Sequence, residues 1–116
     1  MNKSNKFDES LQELANYSKV ISHPARLAIM KYLAESKVCL SGDISDFIPL
    51  SRTTVSQHLS ELRNAGLIHG ETDGLKINYC LNPKGIKKLS KSYKRFFSFL
   101  KETTQKKFEN STEKRK

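Results

Sequence analysis

The chain has no tryptophan, two cysteines, three prolines and five glycines among its 116 residues. Two cysteines, Cys39 and Cys80, are too few for a disulfide framework, so a core must come from side-chain packing and the reducing cytoplasm is the expected compartment. Long apolar runs are also missing. None approaches the roughly 18 residues that span a bilayer, so no membrane association is expected. The opening residues MNKSNKFDES contain no apolar stretch of the secretory kind, and no signal peptide is expected. A glycine-rich phosphate loop, a nucleophile beside a base and paired carboxylates in an apolar setting are all lacking. The chain is therefore expected not to be an enzyme and to need no cofactor.

Acidic residues are scarce at one end only. Met1 to Pro83 carries nine basic and nine acidic residues, whereas Lys84 to Lys116 carries twelve basic and three acidic. The whole formal charge of +9 therefore sits in the last third of the chain. An argument from basicity to nucleic acid applies to that end and not to the first 83 residues.

The length allows one domain. Phe7, Leu11, Leu14, Ala15, Ser18 and Ile21 recur at helical spacing and predict a first helix, ended by Ser22-His23-Pro24. Ser22 or His23 can cap a second helix from Pro24 to about Glu35, with Leu27, Ile29, Met30 and Leu33 turned inward. Val38-Cys39-Leu40 reads as a short extended piece, and a third helix is expected from about Gly42 to Phe47, stopped by Pro49. Ser51 caps a fourth helix, about Arg52 to Ala65, with Gly66 beyond its end. The short gap between helices three and four is a helix-turn-helix spacing. A hairpin follows, turning at Asp73-Gly74, with Leu75, Ile77, Tyr79 and Leu81 on one face and Lys76, Asn78, Cys80 and Asn82 on the other. Asn82-Pro83 opens a long last helix. The boundaries expected are a disordered 1–6, a folded 7–109 and a basic, disordered 110–116.

The fourth helix carries the functional signal. Val55, Leu59 and Leu62 fall within about 60° of arc and must face a core. The far side holds Thr53, Gln57, Ser60 and Asn64, flanked by Thr54 and Ser56, with Arg52 at the entrance. Solvated faces are usually rich in Glu and Lys. These short donors and acceptors suit base edges in a major groove instead. Thr53, Thr54, Ser56, Gln57 and Ser60 are the candidate groove contacts, and Arg52, Arg63 and Lys76 the candidate phosphate contacts. The hairpin tip Glu71-Thr72-Asp73-Gly74 is acidic and opposes phosphate, leaving Lys76, Asn78 and His69 as its polar contacts. His58, beside Leu59, reads either as a hydrogen-bonding packing residue or as a base contact.

Ile21-Ser22-His23-Pro24-Ala25-Arg26-Leu27-Ala28-Ile29-Met30 resembles the second-helix signature of ArsR/SmtB-type repressors. Leu50 to Ile68 (LSRTTVSQHLSELRNAGLI) resembles their recognition helix and its exit, and Asp73-Gly74 to Tyr79-Cys80-Leu81 their wing. The resemblance covers about residues 10–100. It implies a mainly α winged helix-turn-helix fold with a small β-hairpin wing, in the order α-α-α-α-β-β-α. It further implies a homodimeric DNA-binding repressor on a palindromic operator, paired through the first and last helices. The last helix supports that pairing with a stripe of Ile86, Leu89, Tyr93, Phe96, Phe97 and Leu100, opposite Lys84, Lys87, Lys88, Lys91 and Arg95. The candidate dimer contacts are Leu11, Leu14, Leu89, Tyr93, Phe96, Phe97 and Leu100.

The family's two metal positions are not filled. Leu40 and Gly42 stand where a Cys-x-Cys-Asp run has its thiols, and the last helix has no histidine and a lysine-rich setting. No metal is expected, and the effector is unassigned. The strand around Cys39 is expected beside the second hairpin strand, which makes Cys39 and Cys80 either a candidate redox pair or two small residues without a role. The competing class is a winged-helix protein-interaction module, which the near-neutral head and acidic hairpin tip also fit.

Overall fold

The computed structural model describes residues 6–36, 39, 44–74 and 76–114. The elements are α1 (Glu9–Ile21), α2 (Pro24–Glu35), a 3-10 turn (Ile44–Asp46), α3 (Arg52–Asn64), β1 (Ile68–Asp73), β2 (Lys76–Leu81) and α4 (Pro83–Lys114). The core consists of Ile29 and Leu33 from α2, Ile44 and Ile48 around the 3-10 turn, Val55, Leu59 and Leu62 from α3, and Leu67 and Ile68 leading into β1. Burying each such side chain contributes about 1.5–3 kcal/mol. Tyr17, Val20, Tyr79, Leu81, Ile86 and Leu89 pack around its edge.

Local chemistry sets the helix ends. Pro24 occupies the first turn of α2, with His23 before it, but neither His23 nor Ser22 caps it through a side chain. The Ser22 hydroxyl donates back to the Lys19 carbonyl at 2.8 Å instead. On α2, Leu27 is 49% exposed and not inward, because Ile29 and Leu33 define the buried stripe and Leu27 lies outside it. Ser51 caps α3, its Oγ accepting from the Thr54 N–H at 3.2 Å. At the other end Gly66 adopts φ 76°, its N–H donates to the Arg63 carbonyl at 2.9 Å, and the Leu67 N–H reaches the Leu62 carbonyl at 3.0 Å. That is the paired closure in which a left-handed glycine satisfies the last carbonyls.

Three boundaries differ from expectation. The described part of the expected third helix is a 3-10 turn at Ile44–Asp46, and Pro49 closes it by removing a donor and biasing Ile48 away from helical geometry. Its expected start at 41–43, with Val38 and Leu40 of the expected extended piece, lies outside the described residues. In the antiparallel hairpin Asp73 pairs with Lys76, so Asp73 belongs to β1 and the strand ends before Gly74, whose φ is 64°. At the carboxyl end, helix continues to Lys114 where a disordered segment from Asn110 was expected. No glycine or proline interrupts the chain after Gly85, and Gln105 donates to Glu109 one turn on at 3.1 Å.

The junction between α3 and α4 is tight. The Asn82 N–H donates to the Leu67 carbonyl at 2.9 Å, and the Asn82 side chain accepts from the Lys84 N–H at 3.2 Å, capping α4. Gly85 is buried there, and a Cβ at this position would land on the Gly66 carbonyl. From this joint α4 runs for about 48 Å at 1.5 Å per residue. The radius of gyration is 19.0 Å, against about 13 Å for a compact chain of this length. The excess comes from α4 projecting beyond the core.

Candidate nucleic-acid interface

The buried side of α3 is formed by Val55, Leu59 and Leu62, which turns the remaining arc outward. Arg52, Thr53, Ser56, Gln57, Arg63 and Asn64 are exposed, and Ser60 is half-buried. Thr54 differs from its neighbours. It is half-buried, its N–H donates to the Ser51 Oγ, and its own Oγ1 accepts from that hydroxyl at 2.9 Å. Its polar atoms serve the helix cap before they can serve a partner. The S-x-x-T spacing carries that signal in the sequence.

His58 sits at the edge of the buried side and is engaged within the protein. Its Nδ1 accepts from Arg26 Nε at 2.9 Å, and Arg26 Nη1 donates to the Val20 carbonyl at 2.9 Å. One guanidinium thus links the end of α1, α2 and α3. The His23 ring lies 5.7 Å away, tilted by 49°. Burial first, then the charges of Arg26 and His23, hold the His58 pKa below its ordinary 6.5. The imidazole is therefore neutral at physiological pH, as a ring nitrogen accepting from an arginine requires. Arg26 carries no periodicity signal of its own. Its role emerges only from the packing of α2 on α3.

The hairpin lies after α3, with exposed Glu71 and Thr72 near its tip and Lys76 in register with Asp73. His69 is half-buried, and the Asn78 Oδ1 is shielded without a hydrogen-bond partner. On the same strand Cys80 is joined to Cys39 by a disulfide. Among the described residues no three His, Cys, Asp or Glu side chains converge as a metal site, and no helix is long and apolar enough to cross a membrane. Leu40 and Gly42 lie outside the described residues.

The first and last helices, α1 and α4, meet through a hydrogen bond between the Ser18 and Tyr93 hydroxyls at 2.7 Å. Leu14, Leu89, Tyr93 and Phe96 are half-buried, while Leu11, Phe97 and Leu100 are exposed. Phe97 stacks on Tyr93 at 5.9 Å and meets Phe96 edge-on at 5.6 Å. A groove of about 470 Å³ between the helices is lined by Leu11, Leu14, Phe96 and Phe99 together with Lys88, Lys91 and Arg95. The apolar and cationic faces of α4 are thus not cleanly opposed, since three of the basic residues border the apolar groove.

The chain is similar to known proteins in sequence and in fold. The family described as "Bacterial regulatory protein, arsR family" matches residues 23–69, from the start of α2 into β1. The chain is similar to the transcriptional repressor PagR of Bacillus anthracis, 37% identical over 83 residues, which cover 69% of this chain and 83% of that protein. It is also similar to the HTH-type transcriptional regulator YgaV of Escherichia coli K12, 32% identical over 77 residues, covering 66% and 78% respectively. Among solved structures, a homodimeric winged helix-turn-helix DNA-binding domain from Mycobacterium bovis shares the fold at a TM-score of 0.58 and 19% identity, over 90% of this chain and 87% of that one.

Proposed function

The chain belongs to the arsR family of bacterial regulatory proteins, and on that footing we propose that it works as a cytoplasmic homodimeric repressor, placing two α3 helices in successive major grooves of a palindromic operator. It is a DNA-binding transcriptional regulator with a winged helix-turn-helix fold. The exposed Thr53, Ser56, Gln57 and Asn64 on α3, ringed by Arg52 and Arg63, carry the reading. Short amide and hydroxyl side chains on the exposed side of a helix whose other side is packed into the core match base edges, while the two guanidinium groups match phosphates.

Dimerisation follows from what α1 and α4 leave uncovered. A monomer exposing Leu11 on α1 and Phe97, Phe99 and Leu100 on α4 presents apolar surface of the kind that marks an interface. Two-fold pairing through it sets two α3 helices about one DNA turn apart, about 34–36 Å. No metal or cofactor is assigned to this regulator, and its effector is left open.

The test is a binding titration on DNA from the regulator's own promoter region against random duplex. Gln57→Ala should weaken operator binding by about 1–3 kcal/mol and leave binding to random DNA unchanged. Equal losses on both would remove α3 from the readout. Affinity should also fall steeply as salt rises, because phosphate contacts release counterions. A shallow slope with saturation on a protein partner would favour the interaction-module reading, to which the acidic hairpin tip points.

A further inference from the structure

Reading DNA with α3 leaves the two cysteines unused. Cys39 lies between α2 and the 3-10 turn and is exposed, and Cys80 lies on β2, 41 residues later, and is half-buried. Their Cα atoms are 4.7 Å apart, a separation that a disulfide spans without backbone movement, and the structure joins them. Cys80 stands opposite His69 in the ladder and next to Leu81, which packs on the core. The bond therefore fastens the base of the hairpin to the segment that leads into the helix-turn-helix.

We propose that Cys39 and Cys80 form a reversible thiol–disulfide switch, oxidised by a hydroperoxide, that locks the wing against the helix-turn-helix. The lock stands on the cysteine geometry alone, and its effect on affinity rests on the DNA-binding function proposed above. The exposed Cys39 thiolate attacks the peroxide. An S–O bond forms, the O–O bond breaks, and one water leaves after protonation. The Cys80 thiolate then attacks the resulting sulfenic sulfur, the S–S bond forms, the S–O bond breaks, and hydroxide leaves with a proton as a second water. Two thiols have lost two electrons and two protons to one hydrogen peroxide. Exchange with a dithiol returns both thiols. The chain has no third cysteine to divert the sulfenic acid.

Without the bond the wing is a two-stranded hairpin held by its ladder and, at its base only, by Ile68, Tyr79 and Leu81. Such hairpins are marginal by themselves. With it, the wing keeps a fixed angle to α3, so less ordering remains to be done when DNA binds. The oxidised protein is the tighter operator binder.

The full chain is compared after hydrogen peroxide and after dithiothreitol. Peptide mass spectrometry should find Cys39 and Cys80 cross-linked in the first sample and free in the second. Amide exchange across residues 68–81 should be about tenfold slower in the oxidised protein, and operator affinity about three- to tenfold higher. Cys39→Ser and Cys80→Ser should each show the reduced pattern in both conditions. Absence of the cross-link, a cross-link that the dithiol leaves intact, or equal exchange in the two states overturns the switch. Slowed exchange with no operator preference in either state leaves the lock standing and removes the DNA-binding function instead.

Discussion

The inner segment of the chain and the two helices that bracket it are built on different terms. From α2 to β1 each element sends residues into one shared core, with Ile29, Leu62 and Leu67 fully enclosed. In contrast, α1 has no buried residue, and α4 leaves Phe97 51% and Phe99 62% exposed. Charge draws a different line, near zero up to Pro83 with α1 included and strongly positive along α4 after it. The inner segment supplies all the buried apolar side chains of the core, and the outer helices only border it. The outer helices carry apolar surface that a second copy would cover in the proposed dimer, and on that proposal the difference separates the residues that hold the fold from those that set assembly.

The largest effect should come from cutting into the core. Leu62→Ala should cost about 2–5 kcal/mol in urea unfolding, from lost burial and the cavity left behind. Phe97→Ala should cost the head less than about 1 kcal/mol while shifting sedimentation toward monomer. Similar unfolding losses from both would erase the distinction. Next is the joint between the regions. Gly85→Ala forces a methyl group onto the Gly66 carbonyl and should cost about 1–3 kcal/mol, read as a lower melting temperature. Smaller still, removing the residues after Glu109 takes away three basic residues and one acidic residue. Operator affinity should fall only by about a factor of a few at physiological salt, with preference for operator over random DNA unchanged. Loss of that preference would put sequence reading in the tail.

The smallest effect is a pH dependence. Because the folded His58 pKa lies below 6.5, the unfolded chain binds the proton more readily. Its contribution is complete above pH 6.5 and is lost as pH falls through the window below that value. The wild-type protein should lose slightly more stability between pH 7 and pH 5 than His58→Gln, measured by denaturant midpoint. A wild-type profile no steeper than that of the variant would show that the Arg26 contact does not depend on a neutral ring.

The fold was largely legible because its signals are local. Pro24, Ser51, Gly66 and Pro83 each act on their own backbone, and all four stand at helix ends. The same locality explains the misses. Leu27 matched a helical stripe, but which side of α2 is inside depends on where α3 lies. The turn position slid by one because Asp-Gly can sit astride a loop as well as within it. The Arg26–His58 contact joins residues 32 apart on two helices and leaves no trace in spacing. For the candidate interface, periodicity separated the inward and outward sides of α3 correctly. It did not reveal that Thr54 is occupied by its cap, since that is a question of hydrogen-bond partners and not of direction.

The joint at Asn82 and Gly85 has a mechanical meaning. Backbone meets backbone there, with one hydrogen bond between Asn82 and Leu67 and no side chain between Gly85 and Gly66 to absorb displacement. A coupling of that kind has almost no play. In the proposed dimer, a change in the angle at which two α4 helices cross would turn each α3 with it, and the distance between the two reading heads would follow. A ligand that only nudged the crossing angle could then move the heads out of step with the helical repeat of DNA without ever touching α3.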